Sequence, residues 1–226
     1  MTLEEAKAAA GRRAAEFIQD GMVVGLGTGS TAAYFIDALI RRCRDGLRIK
    51  AIASSHASAD RASKGRIPIL DINSVPKIDI TVDGADEIDH QKRMIKGGGG
   101  AHTREKILAA SSHELIIIVD QTKLVERIGH CKLPIEILSY GAPSTRHRIE
   151  QLGLQGQWRL KSDNHPFITD NGNPLFDIHF ATPPHAPEQL NDQLLRIAGV
   201  VDTGFFFNLA GRVVIGHPNG AIEVRT

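Results

Sequence analysis

Long apolar runs are missing from this sequence. Nothing in it approaches the roughly 20 consecutive apolar residues that cross a bilayer, so no membrane partner is expected. Cysteine is scarce as well: Cys43 and Cys131 allow one bridge at most, and neither sits in a metal-ligand spacing. Cys43 lies within the basic stretch Arg41-Arg42-Cys43-Arg44, and free thiols in a reducing cytosol are the simpler expectation. An excess of charge of one sign is also lacking. With 27 Lys and Arg against 26 Asp and Glu, the formal net charge is +1, which removes the electrostatic case for nucleic acid as the main partner. There is no internal repeat and no low-complexity tract. The opening Met1-Thr2-Leu3-Glu4-Glu5 is acidic and helix-like, not signal-like, so a cytoplasmic location is expected.

What remains is an ordinary globular composition: 226 residues, 42% hydrophobic and 23% charged. That length suits one large domain, or a main domain with a small satellite, and it buries enough apolar surface to fold without staples. Thr2-Leu3-Glu4-Glu5 reads as a capping box opening an Ala-rich helix to about Ile18, with a stop before Gly21. The apolar run Met22 to Leu26 then meets Gly27-Thr28-Gly29-Ser30-Thr31, and Ala32 to Ile40 has helical spacing. The alternation continues with Ile49 to Ala53 as strand, Ser54 to Ser58 as a polar turn and Ala59 to Lys64 as helix. Ile78 to Val82 is the next strand, Ala101 to Ala110 the next helix and Glu114 to Val119 a buried strand. Such alternation predicts an α/β fold, a Rossmann-like and mostly parallel sheet with helices on both faces. Ligands of such sheets bind where strands end and helices begin.

After about Cys131 the texture changes. Strands are expected at Leu133 to Leu138, Trp158 to Leu160, Phe167 to Thr169, Leu175 to Ile178 and Val200 to Phe207. Helices are expected near Ser144 to Leu152 and Pro187 to Ile197, with a hairpin turn at Asp170-Asn171-Gly172-Asn173. Residues 131–207 therefore read as a small inserted α+β domain, and residues 1–130 with 208–226 as the Rossmann-like domain. The final strands, Arg212 to Ile215 and Ala221 to Val224, return to the latter.

Four constellations carry chemistry. In Gly27-Thr28-Gly29-Ser30-Thr31 the glycines allow an anion close to the backbone, and the following helix N-terminus points amides at it. The same segment is equally a tight strand-to-helix turn with Ser30 as N-cap. Gly25, Gly27 and Gly29 resemble part of a dinucleotide fingerprint, but its third glycine is not in place. Asp83-Gly84-Ala85-Asp86-Glu87 follows a strand directly; its carboxylates either face a pocket or form a solvated turn. Lys96 precedes Gly97, Gly98, Gly99 and Gly100, a run that costs backbone entropy and packs nothing unless backbone wraps closely around a ligand. The alternative is a flexible surface loop, with Glu105 favoured by the helix dipole. Asp120-Gln121-Thr122-Lys123 closes a strand and offers a lysine at the same edge.

In this order, these segments resemble ribose-5-phosphate isomerase A. Weaker echoes continue through Leu133-Pro134-Ile135-Glu136, Thr169 to Asn173, and Gly199-Val200-Val201 with Gly204-Phe205-Phe206. The resemblance implies an enzyme interconverting ribose 5-phosphate and ribulose 5-phosphate through an enediolate, without cofactor or metal. It makes Glu105 of Thr103-Arg104-Glu105-Lys106 the proton-transferring base and assigns catalytic support to Asp83, Asp86 and Lys96. Substrate binding falls to Thr28, Gly29, Ser30, Thr31, Gly84, Ala85, Gly97, Gly98, Gly99 and Lys123, and to Lys7 by its position in the first helix. The partner is a small sugar phosphate. A homodimer, or a tetramer, is expected, with Gly204-Phe205-Phe206-Phe207 serving as core or interface. His102, His56 and Lys132 depart from the family pattern. His102 reads as a bystander at the pocket rim, or else tunes the pKa of Glu105.

The competing readings are a non-enzymatic sugar-phosphate sensor of the same fold, an amino-sugar phosphate deaminase or acyl-CoA transferase, and a nucleotide-dependent dehydrogenase. The carboxylate at Glu105 and the lack of a DNA-binding segment argue against the sensor; the incomplete glycine fingerprint argues against the dehydrogenase.

Overall fold

The computed structural model describes residues 2–75 and 77–226; Met1, where the expected first domain begins, lies outside them. In chain order the elements are α1 (Leu3–Ala15), β1 (Val23–Leu26), α2 (Ser30–Arg44), β2 (Lys50–Ala53), α3 (His56–Lys64), β3 (Ile78–Asp83), β4 (Glu87–Ile88) and β5 (Met94–Ile95). They continue with α4 (His102–Ala110), β6 (Ser112–Asp120), β7 (Leu133–Ile137), α5 (Ala142–Glu150), β8 (Gln155–Trp158), β9 (Leu175–His179) and α6 (Pro187–Leu195). The chain ends with β10 (Val200–Thr203), β11 (Phe205–Phe206), β12 (Ala210–Gly216) and β13 (Ile222–Arg225).

Two compact units result: Met1–Ala85 with Arg104–Leu124 and Leu209–Thr226, and Asp86–Thr103 with Val125–Asn208. The division differs from the expected one at residues 86–103 and 125–130. The reason is hydrogen bonding: β5 pairs antiparallel with β11, Lys96 N–H donates to Gly204 O at 2.9 Å, and Val125 N–H donates to Ile88 O at 3.0 Å. The Glu87 carboxylate then collects the backbone N–H groups of Gly129, His130 and Cys131. Cys43 belongs to the first unit and Cys131 to the second, and no disulfide is formed.

The first unit is built on a six-stranded sheet of order β13-β12-β6-β3-β1-β2. All its pairings are parallel except that of the edge strand β13, so the strand ends Leu26, Ala53, Asp83, Asp120 and Gly216 share one edge. One face carries Val24, Leu26, Ile80, Val82, Ile116 and Ile118 against Ala10 and Ala14 of α1 and Phe35 and Leu39 of α2. Small residues let these helices touch: a Cβ on Gly11 would stand 2.8 Å from Phe35 N. The other face meets α4, whose Leu108 packs with Ile52 and Ile78. The expected capping box of α1 is present, with Glu5 N–H donating to Thr2 Oγ1 at 3.2 Å and Thr2 N–H to Glu5 Oε2 at 2.7 Å. α1 stops at Ala15, not Ile18, because the chain tightens into i→i+3 bonds there and Arg42 donates to the carbonyls of Ala15 and Ile18.

The second unit holds a four-stranded sheet, β10-β7-β9-β8, and a small three-stranded one, β11-β5-β4. Its core gathers Ile95, Leu133, Ile135, Ile137, Phe176, Ile178, Leu194 and Phe205. Phe205 and Phe206 are 1% and 0% exposed, so the apolar run is core. The single strand expected at Val200 to Phe207 divides at Gly204, where the chain leaves β7 for β5; a Cβ there would lie 2.4 Å from Lys96 O. Residues 167–169 and 160 form only isolated bridges, Leu160 with Pro166 and Ile168 with Pro174. Proline has no N–H to extend a ladder, so the expected strands do not propagate.

One sheet contact tests this packing. Gly25 sits beside Thr81, and a Cβ on it would lie 1.8 Å from Thr81 Oγ1. That hydroxyl bonds Ser112 Oγ at 2.6 Å, which in turn donates to Leu108 O of α4 at 2.7 Å. Gly25→Ala is expected to lower stability by about 1–3 kcal/mol in urea unfolding, with part regained when Thr81→Ala is added. An unchanged midpoint would show that the two strands do not approach so closely.

Candidate active site

At the carboxyl edge of the first unit, the loops after β1, β2 and β3 are fastened to one another. Gly27 N–H donates to Val82 O at 3.0 Å, and a Cβ on Gly27 would fall 2.1 Å from Asp83 Oδ1. Only glycine lets the loop come this near. Asp83, 1% exposed, accepts at Oδ1 from Thr28 N–H at 3.1 Å and from Gly84 N–H at 2.7 Å. Thr28 Oγ1 lies 2.7 Å from Ser54 Oγ and donates to Ser55 Oγ at 2.9 Å, while Ser58 Oγ donates to Gly27 O at 2.7 Å. Ser30 is not the N-cap of α2. Gly29 holds that place with φ +113°, a backbone conformation that suits glycine, and Ser30 opens the helix exposed. Gly29, Ser30 and Thr31 thus present the first-turn amides of α2 outward at this edge.

Glu105 lies in the first turn of α4 and is 3% exposed. Three residues on, Leu108 shares its helical face and packs with Ile52 and Ile78, so Glu105 is turned toward the sheet. α4 ends at the amino edge, where Ile78 N–H donates to Ser111 O at 3.0 Å. Its first turn therefore lies on the carboxyl-edge side. Asp120, 1% exposed, caps the short turn Gln121–Lys123 by accepting from Thr122 N–H at 2.9 Å, which leaves Lys123 half-exposed after β6. Lys7 reaches the same edge through α1, since Gly216 closes on Ala6 O. Lys7 Nζ bonds Glu4 Oε1 at 2.8 Å, and that bond, with one from Tyr34, holds the Glu4 carboxyl below its ordinary pKa.

In the second unit, Asp86 Oδ2 accepts from Gly98 N–H at 2.7 Å. Lys96 is 3% exposed, with Nζ 5.3 Å from the centroid of the Phe206 ring. The glycine run is not a loose loop. Gly97 and Gly100 have φ of +97° and +82°; a Cβ on Gly98 would meet Asp86 Oδ1 at 2.6 Å and one on Gly100 would meet Phe167 at 2.4 Å. Gly98 and Gly99 are exposed while Lys96 and Gly97 are buried. His102 is 0% exposed, under Gly97 with Nε2 3.3 Å from Asp202 O, so it is a packed residue and not a rim bystander.

The weaker sequence echoes converge on one carboxylate that the sequence did not single out. Glu136, 0% exposed, accepts from Thr103 Oγ1 at 2.6 Å, Thr169 Oγ1 at 3.0 Å, Asn171 Nδ2 at 3.0 Å and Asn173 Nδ2 at 2.9 Å. Burial pushes its pKa up, but the donors from Thr103, Asn173, Asn171 and Thr169 outweigh it and hold the group below the usual glutamate range. Arg159, also unmarked in the sequence, binds the carbonyls of Gly97 and Gly98.

A sequence profile described as ribose 5-phosphate isomerase A (phosphoriboisomerase A) matches residues 50–220. The chain belongs to this family. Ribose-5-phosphate isomerase A of Protochlamydia amoebophila (strain UWE25) is 48% identical over 223 residues, 97% of this chain and 95% of that protein. The Bacillus mycoides (strain KBAB4) protein of the same name is 46% identical, over 96% and 98% of the two. Among solved structures, ribose 5-phosphate isomerase A from Methanocaldococcus jannaschii superimposes with a TM-score of 0.93 at 33% identity, over 100% of both chains. A D-ribose-5-phosphate isomerase in complex with phospho-erythronic acid gives 0.94 at 34%, over 100% and 99%. The chain is thus an isomerase of the ribose-5-phosphate isomerase A family with its α/β fold, as the motif pattern indicated, and the sensor reading is set aside.

Glu136→Gln is expected to destabilise the protein by about 2 kcal/mol at neutral pH, because an amide offers one acceptor oxygen to donors that now share two. A carboxylate with a lowered folded pKa contributes fully above its unfolded value and loses that contribution as pH falls through the folded one. The gap between wild type and variant should therefore be constant above the ordinary glutamate value of 4.5 and close below it. Thermal unfolding across pH checks this; a gap independent of pH would refute an ionised Glu136.

Proposed function

We propose that the chain interconverts D-ribose 5-phosphate and D-ribulose 5-phosphate with Glu105 as the proton-transferring base. The observation that carries the reading is a carboxylate, 3% exposed, on the first turn of α4 within the family's Thr103-Arg104-Glu105-Lys106 run. A buried carboxylate beside an open-chain aldose takes the proton from C2, leaving an enediolate with its charge on O1, and returns it to C1 while the hydroxyl proton on O2 passes to O1, which leaves the carbonyl at C2. General base catalysis of this kind contributes roughly 10²–10⁴-fold.

The remaining assignments follow from chemistry. Asp83 or Asp86 assists ring opening by proton exchange with the ring oxygen and anomeric hydroxyl. Lys96 and the amides of the glycine loop that Asp86 does not engage, Gly97 and Gly99, stabilise charge on the enediolate oxygens, as preorganised donors do in a dry site. Thr28 to Thr31, Gly84, Ala85 and Lys123 bind the sugar phosphate, whose phosphate positions C1 and C2 without reacting. Binding by Lys7 requires it to exchange the Glu4 carboxylate for phosphate. The proposed setting is the cytoplasm and the non-oxidative branch of the pentose phosphate pathway. A homodimer completes the reading, supported by apolar side chains at the surface of the second unit, Tyr140 at 89% and Leu160 at 52% exposure.

A coupled assay with purified protein and ribose 5-phosphate tests the activity, and exchange of solvent deuterium into C1, followed by NMR, tests the proton relay. Glu105→Gln should retain substrate binding and lose about 10³-fold or more in kcat. Near-wild-type turnover in that variant would overturn the base assignment. Lys123→Ala should raise KM with kcat largely kept; the reverse pattern would move Lys123 into the chemistry.

A further inference from the structure

Arg159 is 8% exposed, and the hydrogen bonds of its guanidinium go to two places. Nε and Nη2 grip Asp177, with Nε to Oδ2 at 2.9 Å and Nη2 to Oδ1 at 2.5 Å, a fork-to-fork pair. Nη1 donates to Gly97 O at 2.9 Å and to Gly98 O at 3.0 Å. Asp177, 2% exposed, is held in turn by Lys132 Nζ at 2.6 Å from Oδ2. The guanidinium lies 5.7 Å from the centroid of Phe167, the ring that closes on Gly100.

This geometry dictates where the loop's amides point. A trans peptide carries its C=O and N–H on opposite sides. With both carbonyls drawn to one nitrogen of Arg159, the N–H groups of Gly98 and Gly99 are both aimed away from it. The Gly98 N–H does so visibly, meeting Asp86 Oδ2 at 2.7 Å. The Gly99 N–H is set on that same side. Glycine peptides flip readily, so two neighbouring planes keep one orientation only if something holds their carbonyls.

We infer that Arg159, locked by Asp177, is a positioning residue that fixes the Gly97–Gly98 and Gly98–Gly99 peptides so that the Gly98 N–H holds the Asp86 carboxylate and the Gly99 N–H serves as a preorganised donor to the developing enediolate. The inference rests on the proposed isomerase reading and adds to it a residue that touches no substrate.

The test compares steady-state kinetics and thermal melting of the wild type, Arg159→Lys and the double variant Arg159→Met/Asp177→Leu. Replacing a buried ion pair by apolar residues of similar size commonly leaves stability intact, and Lys132, with 38% of its side chain exposed, can turn to water. The double variant is expected to melt near the wild type yet lose roughly 10²-fold in kcat, the scale of one lost oxyanion donor, with KM changed less than about threefold. Arg159→Lys, which keeps the charge and can reach one carbonyl, should fall between the two. The pH limbs of kcat should stay in place, since the base is untouched. A folded double variant with wild-type kcat, or one whose loss lies wholly in KM, overturns the inference while a Glu105→Gln variant still lacking turnover leaves the base assignment standing. A wild type that does not isomerise ribose 5-phosphate overturns both.

Discussion

The carboxyl edge of the first unit depends on the contact between Gly27 and Asp83. Asp83 Oδ1 takes the N–H of Thr28 from the loop after β1 and the N–H of Gly84 from the loop after β3, so one oxygen fixes two neighbouring strand ends. The contact exists only because residue 27 has no side chain. From Thr28 the fastening passes to Ser54 and Ser55, which brings in the loop after β2. Leaving such a buried acceptor unmatched costs about 1–3 kcal/mol, more for a charge. Geometry at this edge is therefore a collective property of three loops, and no one loop can relax without disturbing the others.

Buried carboxylates play the corresponding part in the second unit, where regular structure is sparser. Glu87 gathers the turn at residues 129–131, Glu136 gathers Thr103 with the turn at residues 169–173, and Asp177 gathers Lys132 with Arg159. Each replaces a missing strand ladder by a fan of donors from distant segments. The low dielectric around such groups strengthens satisfied bonds and penalises broken ones, which keeps short strands in a single arrangement.

These two devices explain what was legible in the sequence. The first unit was readable because its order follows from periodicity and from glycine punctuation: apolar runs of strand length, each ending in a polar glycine turn, then a helical pattern. The capping box at Thr2 and the turn at residues 170–173 were equally local and equally visible. What escaped reading depended on partners remote in sequence. Arg159 is separated by 62 residues from Gly97 and Glu136 by 33 from Thr103, and nothing in the neighbourhood of either announces the bond. Val200 to Phe207 reads as one strand because Gly204 is a single residue, and only the closeness of Lys96 O shows why the chain must change sheets there. The two compact units part from the expected boundary for the same reason. Residues 86–103 carry the texture of the preceding segment, but their hydrogen bonds go to residues beyond 124.

The helix α4 uses both kinds of order along its length. Its first turn is anchored at Thr103 by Glu136, and its second is anchored at Leu108 by the apolar cluster with Ile52 and Ile78. An α-helix is stiff in torsion over so short a length, because each residue's carbonyl between the anchors accepts from the N–H four residues on. Glu105 lies between them in sequence, on the same helical face as Leu108. A buried side chain so restrained has little rotamer and backbone freedom left to lose when it meets a ligand. The turn at residues 169–173 supplies three of the donors that hold Glu136, and Glu136 in turn holds Thr103, so this short turn and the start of α4 share one carboxylate.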